Sequence, residues 1–265
     1  MQMHKILVII RKEWSEVFKN KLVLFTVAFM PLMFTALPLI MLGITAPSDS
    51  MSGLTSSDMP ASFGDLCGTM SESACAQYWL VSQFLILYMM MPLMIPVTIA
   101  SYSIVGEKST RTLEPVLATP VRTWELLSGK ALAASIPAIV VTWLGFFAFA
   151  IGASILASSP EVVARFLDPL WLTAIFIIGP ELSIAAVSVA VLISSRVSDP
   201  RVAEQLSALV VLPLLAVFFG QVTGFFFLNE TLILWMAVIM VVIDLGLLYF
   251  ATQLFQRERI LTRWS

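Results

Sequence analysis

Two acids, Glu181 and Asp244, stand inside stretches that are otherwise apolar for the length of a membrane helix. An ionised carboxylate at the centre of a bilayer costs on the order of 3 kcal/mol on insertion scales, so such a side chain faces a bundle interior or a wet cavity. Two uses are open to it: a substrate or proton pathway, or a protonated or paired residue at a helix contact. Glu181 follows Gly179-Pro180, and a proline leaves a backbone carbonyl without its helical partner; both uses stay open there. Asp244 has no such break beside it, which favours the helix contact. No Lys or Arg falls within an apolar stretch to pair with either acid.

Other chemistry is scarce. The one histidine is His4, and the two cysteines are Cys67 and Cys75. These supply neither a His/Cys metal cluster nor a Ser-His or Cys-His couple. The sequence contains no HExxH and no GxxxxGK[ST], so ATP is not bound and hydrolysed by the usual phosphate loop. We expect no catalytic residue, metal or cofactor in this chain and do not expect it to be an enzyme by itself.

The elements that would position these residues follow from composition. The chain is 59% hydrophobic and 12% charged, against roughly 25% charged in soluble domains, and its mean hydropathy is +0.94. A bilayer about 30 Å thick needs roughly 20 apolar residues of helix. Six stretches meet that length: about 22–44, 79–104, 131–157, 168–195, 206–228 and 232–255. No alternating pattern suggests a barrel, so the backbone must be satisfied within helices. The reading is an all-α polytopic membrane protein with a single transmembrane domain over 1–265.

Basic residues orient it. Five precede the first stretch (Lys5, Arg11, Lys12, Lys19, Lys21), and four lie between the second and third (Lys108, Arg111, Arg122, Lys130). Arg196 and Arg201 separate the fourth from the fifth, and Arg257, Arg259 and Arg263 follow the sixth; only Arg165 falls in the opposite set. The positive-inside rule places both termini in the cytoplasm of a cell (plasma) membrane protein. Acids such as Asp49, Asp58, Asp65, Glu72, Glu161, Asp168 and Glu230 mark the other side. The net charge of −2 therefore hides an asymmetry and says nothing of a nucleic-acid partner; none is expected.

Residues 1–21 form an amphipathic helix, with Ile6, Leu7, Ile10, Trp14, Val17 and Phe18 within about a third of the circumference. Such a helix lies in the inner leaflet, cations among anionic headgroups, or packs on the protein's own soluble part. The loop 45–78 faces the oxidising side and holds Cys67 and Cys75, as a disulfide or as two free thiols.

Between the second and third stretches lies GEKSTRTLEPVLATPVRTWELLSGK, Gly106 to Lys130. Thr119-Pro120 has the form of a helix start, and Pro115 limits or kinks the charged turn before it. The segment 106–128 is thus a bent, polar element joined rigidly to two membrane helices, a lever that something else can push.

That segment resembles the cytoplasmic loop of ABC-2 type export permeases, with its GEK…TLE…LATPV…WEL…GK pattern. LISSRVSDPRVAEQLSALVVLPLL and LFQRERILTRW agree with the same family. The resemblance implies six transmembrane helices, an N-terminal interfacial helix and a cytoplasmic coupling helix. It implies a permease without its own ATPase, two copies of which (a homodimer) pair with two cytosolic ABC ATPase subunits that bind ATP and Mg. Glu107, Lys108, Arg111, Thr112 and Glu114 then fall at the ATPase contact or its hinge, and Ser194–Glu204 offers a second contact or a plain solvated turn. The family's substrate path, along spans two and five at the dimer interface, matches here to Met90, Met94, Phe218 and Gln221, with Glu181 near it. Methionine and aromatic walls suit varied apolar ligands, so the implied function is ATP-driven export of a hydrophobic or amphipathic substrate. The alternative is a self-sufficient secondary transporter or channel using Glu181 and Asp244.

Overall fold

A computed structural model of the chain describes residues 2–45, 63, 67, 68, 70–109, 123–197 and 199–254. All regular structure among them is helical. Six stretches are long and apolar enough to cross a membrane: Val23–Thr45, Glu72–Glu107, Trp124–Leu156, Pro160–Ser194, Pro200–Val222 and Glu230–Ala251. We call these spans one to six.

Helix α1 (Gln2–Val17) precedes α2 (Lys21–Thr45), which carries span one. Span two is two helices, α3 (Glu72–Tyr88) and α4 (Met91–Ser109). They are separated by the turn Met89–Met90, where Pro92 in the first turn of α4 has no N–H to return to α3. Span three is the unbroken α5 (Thr123–Leu156). Span four is assembled from α6 (Pro160–Phe166), α7 (Pro169–Thr173), a π-helical turn (Ala174–Ile178) and α8 (Gly179–Ser194). The π turn ends just before Pro180, which cannot donate into a regular α-helical ladder. Span five joins α9 (Pro200–Ser207) through a 3-10 turn (Ala208–Val211) to α10 (Leu212–Val222), and span six is α11 (Glu230–Leu254).

Caps set several of these starts. Ser71 Oγ accepts from Ala74 N–H at the head of α3, and Asp199 Oδ1 accepts from Arg201 N–H at the head of α9. Asn229 Oδ1 accepts from Leu232 N–H before α11. Each occupies a donor that the first helical turn leaves free. Span five stops at Val222, short of the end of its apolar run, because Gly224 adopts φ 72°, a left-handed conformation that ends a helix and suits glycine.

Span two is the centre of the bundle. Of its most apolar window 78% is buried, and 56% of span four's, against 17% in spans five and six. Helix α4 packs on α8 and α5, α8 also packs on α11, and α2 packs on α5. The outer spans turn large apolar side chains outward, among them Leu32, Ile155, Phe219 and Val242. Such a surface suits lipid and not water.

Two buried polar side chains tie the spans together. The Tyr88 hydroxyl donates to the Thr142 carbonyl at 2.5 Å, joining spans two and three. Gln77 Nε2 donates to Thr45 Oγ1 at 2.9 Å, while its Oε1 accepts from Ser158 N–H at 3.0 Å and Ser158 Oγ at 2.6 Å. Its amide thereby holds together the ends of spans one, two and three that lie at Thr45, Gln77 and Ser158. Nearby, Cys67 and Cys75 are joined as a disulfide with Cα atoms 5.5 Å apart, within the usual range for such a bond. Phe63, Met70, Tyr78, Trp79 and Phe227 pack around it.

Candidate functional site

Helix α1 lies along α5 at the end of the bundle where the segment 110–122 leaves and returns. Gly129 makes the contact close: a Cβ there would come within 2.7 Å of Ile9 Cγ2. Trp14 Nε1 donates to the Ala133 carbonyl at 2.9 Å. Glu13 lies between Ile10 and Val17 on the buried face of α1, and it carries charge into the contact.

Three elements answer that charge. Lys130 on α5 donates to Glu13 Oε1 at 2.7 Å and to Ser103 Oγ on α4 at 2.8 Å, and its ammonium lies 2.8 Å from Glu107 Oε2. Ser103 donates to Glu13 Oε2 at 2.5 Å. Ser103 and Glu107, four residues apart, share one face of α4, as helical spacing requires. Lys12 donates to Glu107 Oε1 and lies 3.3 Å from Glu16 Oε2. Lys5 pairs with Glu125 at 3.8 Å. Glu13, Glu107, Glu125 and Lys130 are all buried.

The four charges of Lys12, Lys130, Glu13 and Glu107 sum to zero, and Glu16 beside Lys12 is the exposed member at the edge. Burial opposes ionisation of Glu13, but the Lys130 ammonium and the hydrogen bonds from Lys130 and Ser103 outweigh it and hold Glu13 below the usual carboxylate range. Burial likewise opposes the charge of Lys12, yet its bond to Glu107 and the charges of Glu107, Glu13 and Glu16 keep its ammonium above the ordinary lysine value. Removing one partner from a buried pair of this kind costs about 3–5 kcal/mol. The cluster thus fastens both edges of the 110–122 segment, α4 on one side and α5 on the other, to one helix.

Of the residues matched to a coupling contact, Glu107 is in this cluster, beneath Lys12 and Lys130. Lys108 is in the last turn of α4, its side chain outside the described residues; Arg111, Thr112 and Glu114 lie outside them altogether, as does Thr119-Pro120. Nothing in the sequence marks Glu13, Lys12 and Lys130 as one another's partners. A signal for Glu13 was present: at 100° per residue it falls at the edge of the apolar stripe of α1, beside Val17 and Ile6.

A second constellation lies within the spans. Glu181 follows the π turn and Pro180 on α8, and Asp244 lies on α11, which packs on α8. Glu181 Oε2 and Asp244 Oδ1 are buried without a hydrogen-bond partner. Met90 and Met94 pack on Leu93, Val97, Ala186 and Val211. Phe218 meets Phe219 edge-on at 5.4 Å between centroids, and Gln221 is buried with Oε1 unpartnered. An apolar cleft of about 310 Å³ runs beside them, lined by their neighbours Met89, Leu93, Leu182 and Val217 and by Met236 and Met240. None of the five residues matched to a substrate path lines it. In spans apolar on every face, periodicity does not say which side chains meet.

At the basic end, Thr98 donates to Glu204 Oε1 at 2.7 Å, so the turn Ser194–Glu204 is held against span two. No group of three or more His, Cys, Asp or Glu poised to hold a metal occurs among the described residues. The family model described as ABC-2 family transporter protein matches residues 7–232. No curated protein matches the chain.

Proposed function

The chain belongs to the ABC-2 transporter family, and on that premise we propose that it is the permease subunit of an ATP-driven exporter, its basic end in the cytoplasm of a plasma membrane. The family implies an ABC ATPase partner. In this reading two ATPase subunits, which bind the ATP and Mg, dock on the 106–128 segments of two copies of the permease. The observation that carries it is the charge cluster. A segment docked on a motor transmits movement only if its roots are stiff, and here α5 is fastened to α1 through Lys130–Glu13, α4 to α1 through Ser103–Glu13 and Lys12–Glu107, and the two roots to each other through Lys130–Glu107. A shift of the segment then moves α4, α5 and α1 together, and spans two and three with them. Leu7, Val8 and Phe18 stay exposed on and beside α1, which suits a helix half sunk in the inner leaflet. Closure of the motor on ATP turns the permease outward and drives export.

The test is capture of an ATP-hydrolysing subunit by the tagged chain. With Arg111→Glu and Glu114→Lys introduced together, we expect the subunit to be lost and hydrolysis to become independent of the permease. Retention of the subunit with unchanged hydrolysis would remove the coupling role. A carrier running on Glu181 and Asp244 alone would transport without nucleotide, and that result would replace this reading.

A further inference from the structure

We propose that the cleft among spans two, four, five and six is a binding site for a lipophilic organic cation, whose charge is met by Glu181 and Asp244 at the cleft's edge. The cleft's 310 Å³ falls within the range of about 300–1,000 Å³ typical of small-molecule sites. Ile178 and Ala185, one turn to either side of Glu181, line it, as does Leu182 beside it. On α11, Met240 and Leu247 flank Asp244 by one turn each way and line it too, with Ile243. At 100° per residue each carboxylate sits about 60–70° from the middle of its helix's lining stripe, on the rim and not the floor.

Among the described residues no cation answers these carboxylates. Glu181 Oε2 and Asp244 Oδ1 lack a partner although Asp244 is only 6% exposed. Lys130 is committed to Glu13 and Glu107, and Arg165 to Asp168. A buried carboxylate without a counter-charge is costly in a medium of low dielectric, so a cation brought to it gains more than it would in water.

The walls decide which cation. A bare metal ion needs a shell of about six oxygen ligands, and the lining side chains named here supply none. An apolar body gains by leaving water for such walls, at about 25 cal/mol per Å². A molecule joining an apolar body to one positive charge meets both features. Spans five and six each pack on the central spans and barely on one another among the described residues, which leaves an approach from the side for a molecule dissolved in the bilayer.

As a cargo site the cleft rests on the exporter reading; as a binding site it does not. The test is therefore equilibrium dialysis of radiolabelled tetraphenylphosphonium against the purified full-length chain in nanodiscs, without nucleotide or ATPase. Triphenylphosphine oxide, uncharged and related in shape, serves as the second probe. We expect saturable binding of the cation, weakened about tenfold or more by Glu181→Gln and by Asp244→Asn, with binding of the neutral probe unchanged. Met240→Trp, which fills the cleft, is expected to weaken both probes. Monodisperse elution on size exclusion establishes that each variant is folded, and the two neutralising variants test the same claim independently. Equal cation binding by wild type and both neutralised variants would overturn the assignment, as would unchanged binding after Met240→Trp. None of these results depends on ATPase capture, so either reading can fail alone.

Discussion

At the basic end of the bundle, Lys130 lies within 2.8 Å of Glu13, Ser103 and Glu107. In mid-span, Glu181 and Asp244 each keep a buried oxygen with no partner. Both regions bury carboxylates, yet one holds its own counter-charges and the other, among the described residues, does not. Burial of charge alone therefore does not mark a ligand site; the balance does. A closed set of two cations and two anions gains nothing from an added ion and acts as a fastening. An open pair of acids is stabilised by anything that brings positive charge, and that asymmetry separates a structural joint from a place where something binds.

The sharpest way to break the comparison is to unbalance the balanced region. Lys130→Met leaves Glu13 and Glu107 buried and facing each other without their shared ammonium. We expect a loss of about 3–5 kcal/mol, read as a lowered midpoint of thermal unfolding in detergent, with α1 exchanging its amide hydrogens faster. Adding Glu13→Gln and Glu107→Gln to the same chain is expected to recover much of it. An unchanged midpoint in the single variant would mean that the cluster fastens nothing.

The same operation in mid-span should have the opposite sign. Asp244→Leu removes a group whose buried Oδ1 has no partner among the described residues and fills its place with apolar volume. We expect unfolding to become harder by about 1–3 kcal/mol. A destabilisation matching that of Lys130→Met would show that Asp244 has a counter-charge after all, and the contrast would collapse.

How far the sequence reached differs between the two regions for a physical reason. Six spans and the break before Glu181 were legible because hydropathy and proline act locally, within one helix. The Pro160–Ser194 span shows the limit: apolar length pointed to a start near 168, while the helical stretch begins at the Ser159-Pro160 cap. The cluster was not legible, because Lys12, Ser103 and Lys130 meet through the packing of three helices far apart in sequence. Glu107 was matched to a coupling contact or its hinge by resemblance, and nothing local says that its carboxylate turns inward to Lys12 and Lys130. The cleft was hidden for a different reason. Met89 and Met240 belong to spans whose every face is apolar, so only the packing of the spans, with five and six barely touching, reveals which residues face a void.

Acid gives the mildest test, because it uncouples one charge without changing any atom but a proton. Glu13 is held below its ordinary value of 4.5, so its contribution is complete above that value and disappears as pH falls through its folded one. Lys12 is held above its ordinary value of 10.5, so its contribution is complete below that pH and is lost only as alkali passes its folded value. Between those limits the contributions of Glu13 and Lys12 should be insensitive to pH. Lowering pH from about 7 to about 3 should narrow the gap in unfolding midpoint between the wild type and Glu13→Gln, because protonation makes the wild type resemble the variant. The narrowing should be smaller than the loss in Lys130→Met, because protonating Glu13 removes a charge and strands no buried carboxylate. If the gap stayed constant over that range, Glu13 would not be held by Lys130 and Ser103, and the balanced region would lose the feature that distinguishes it from the open one.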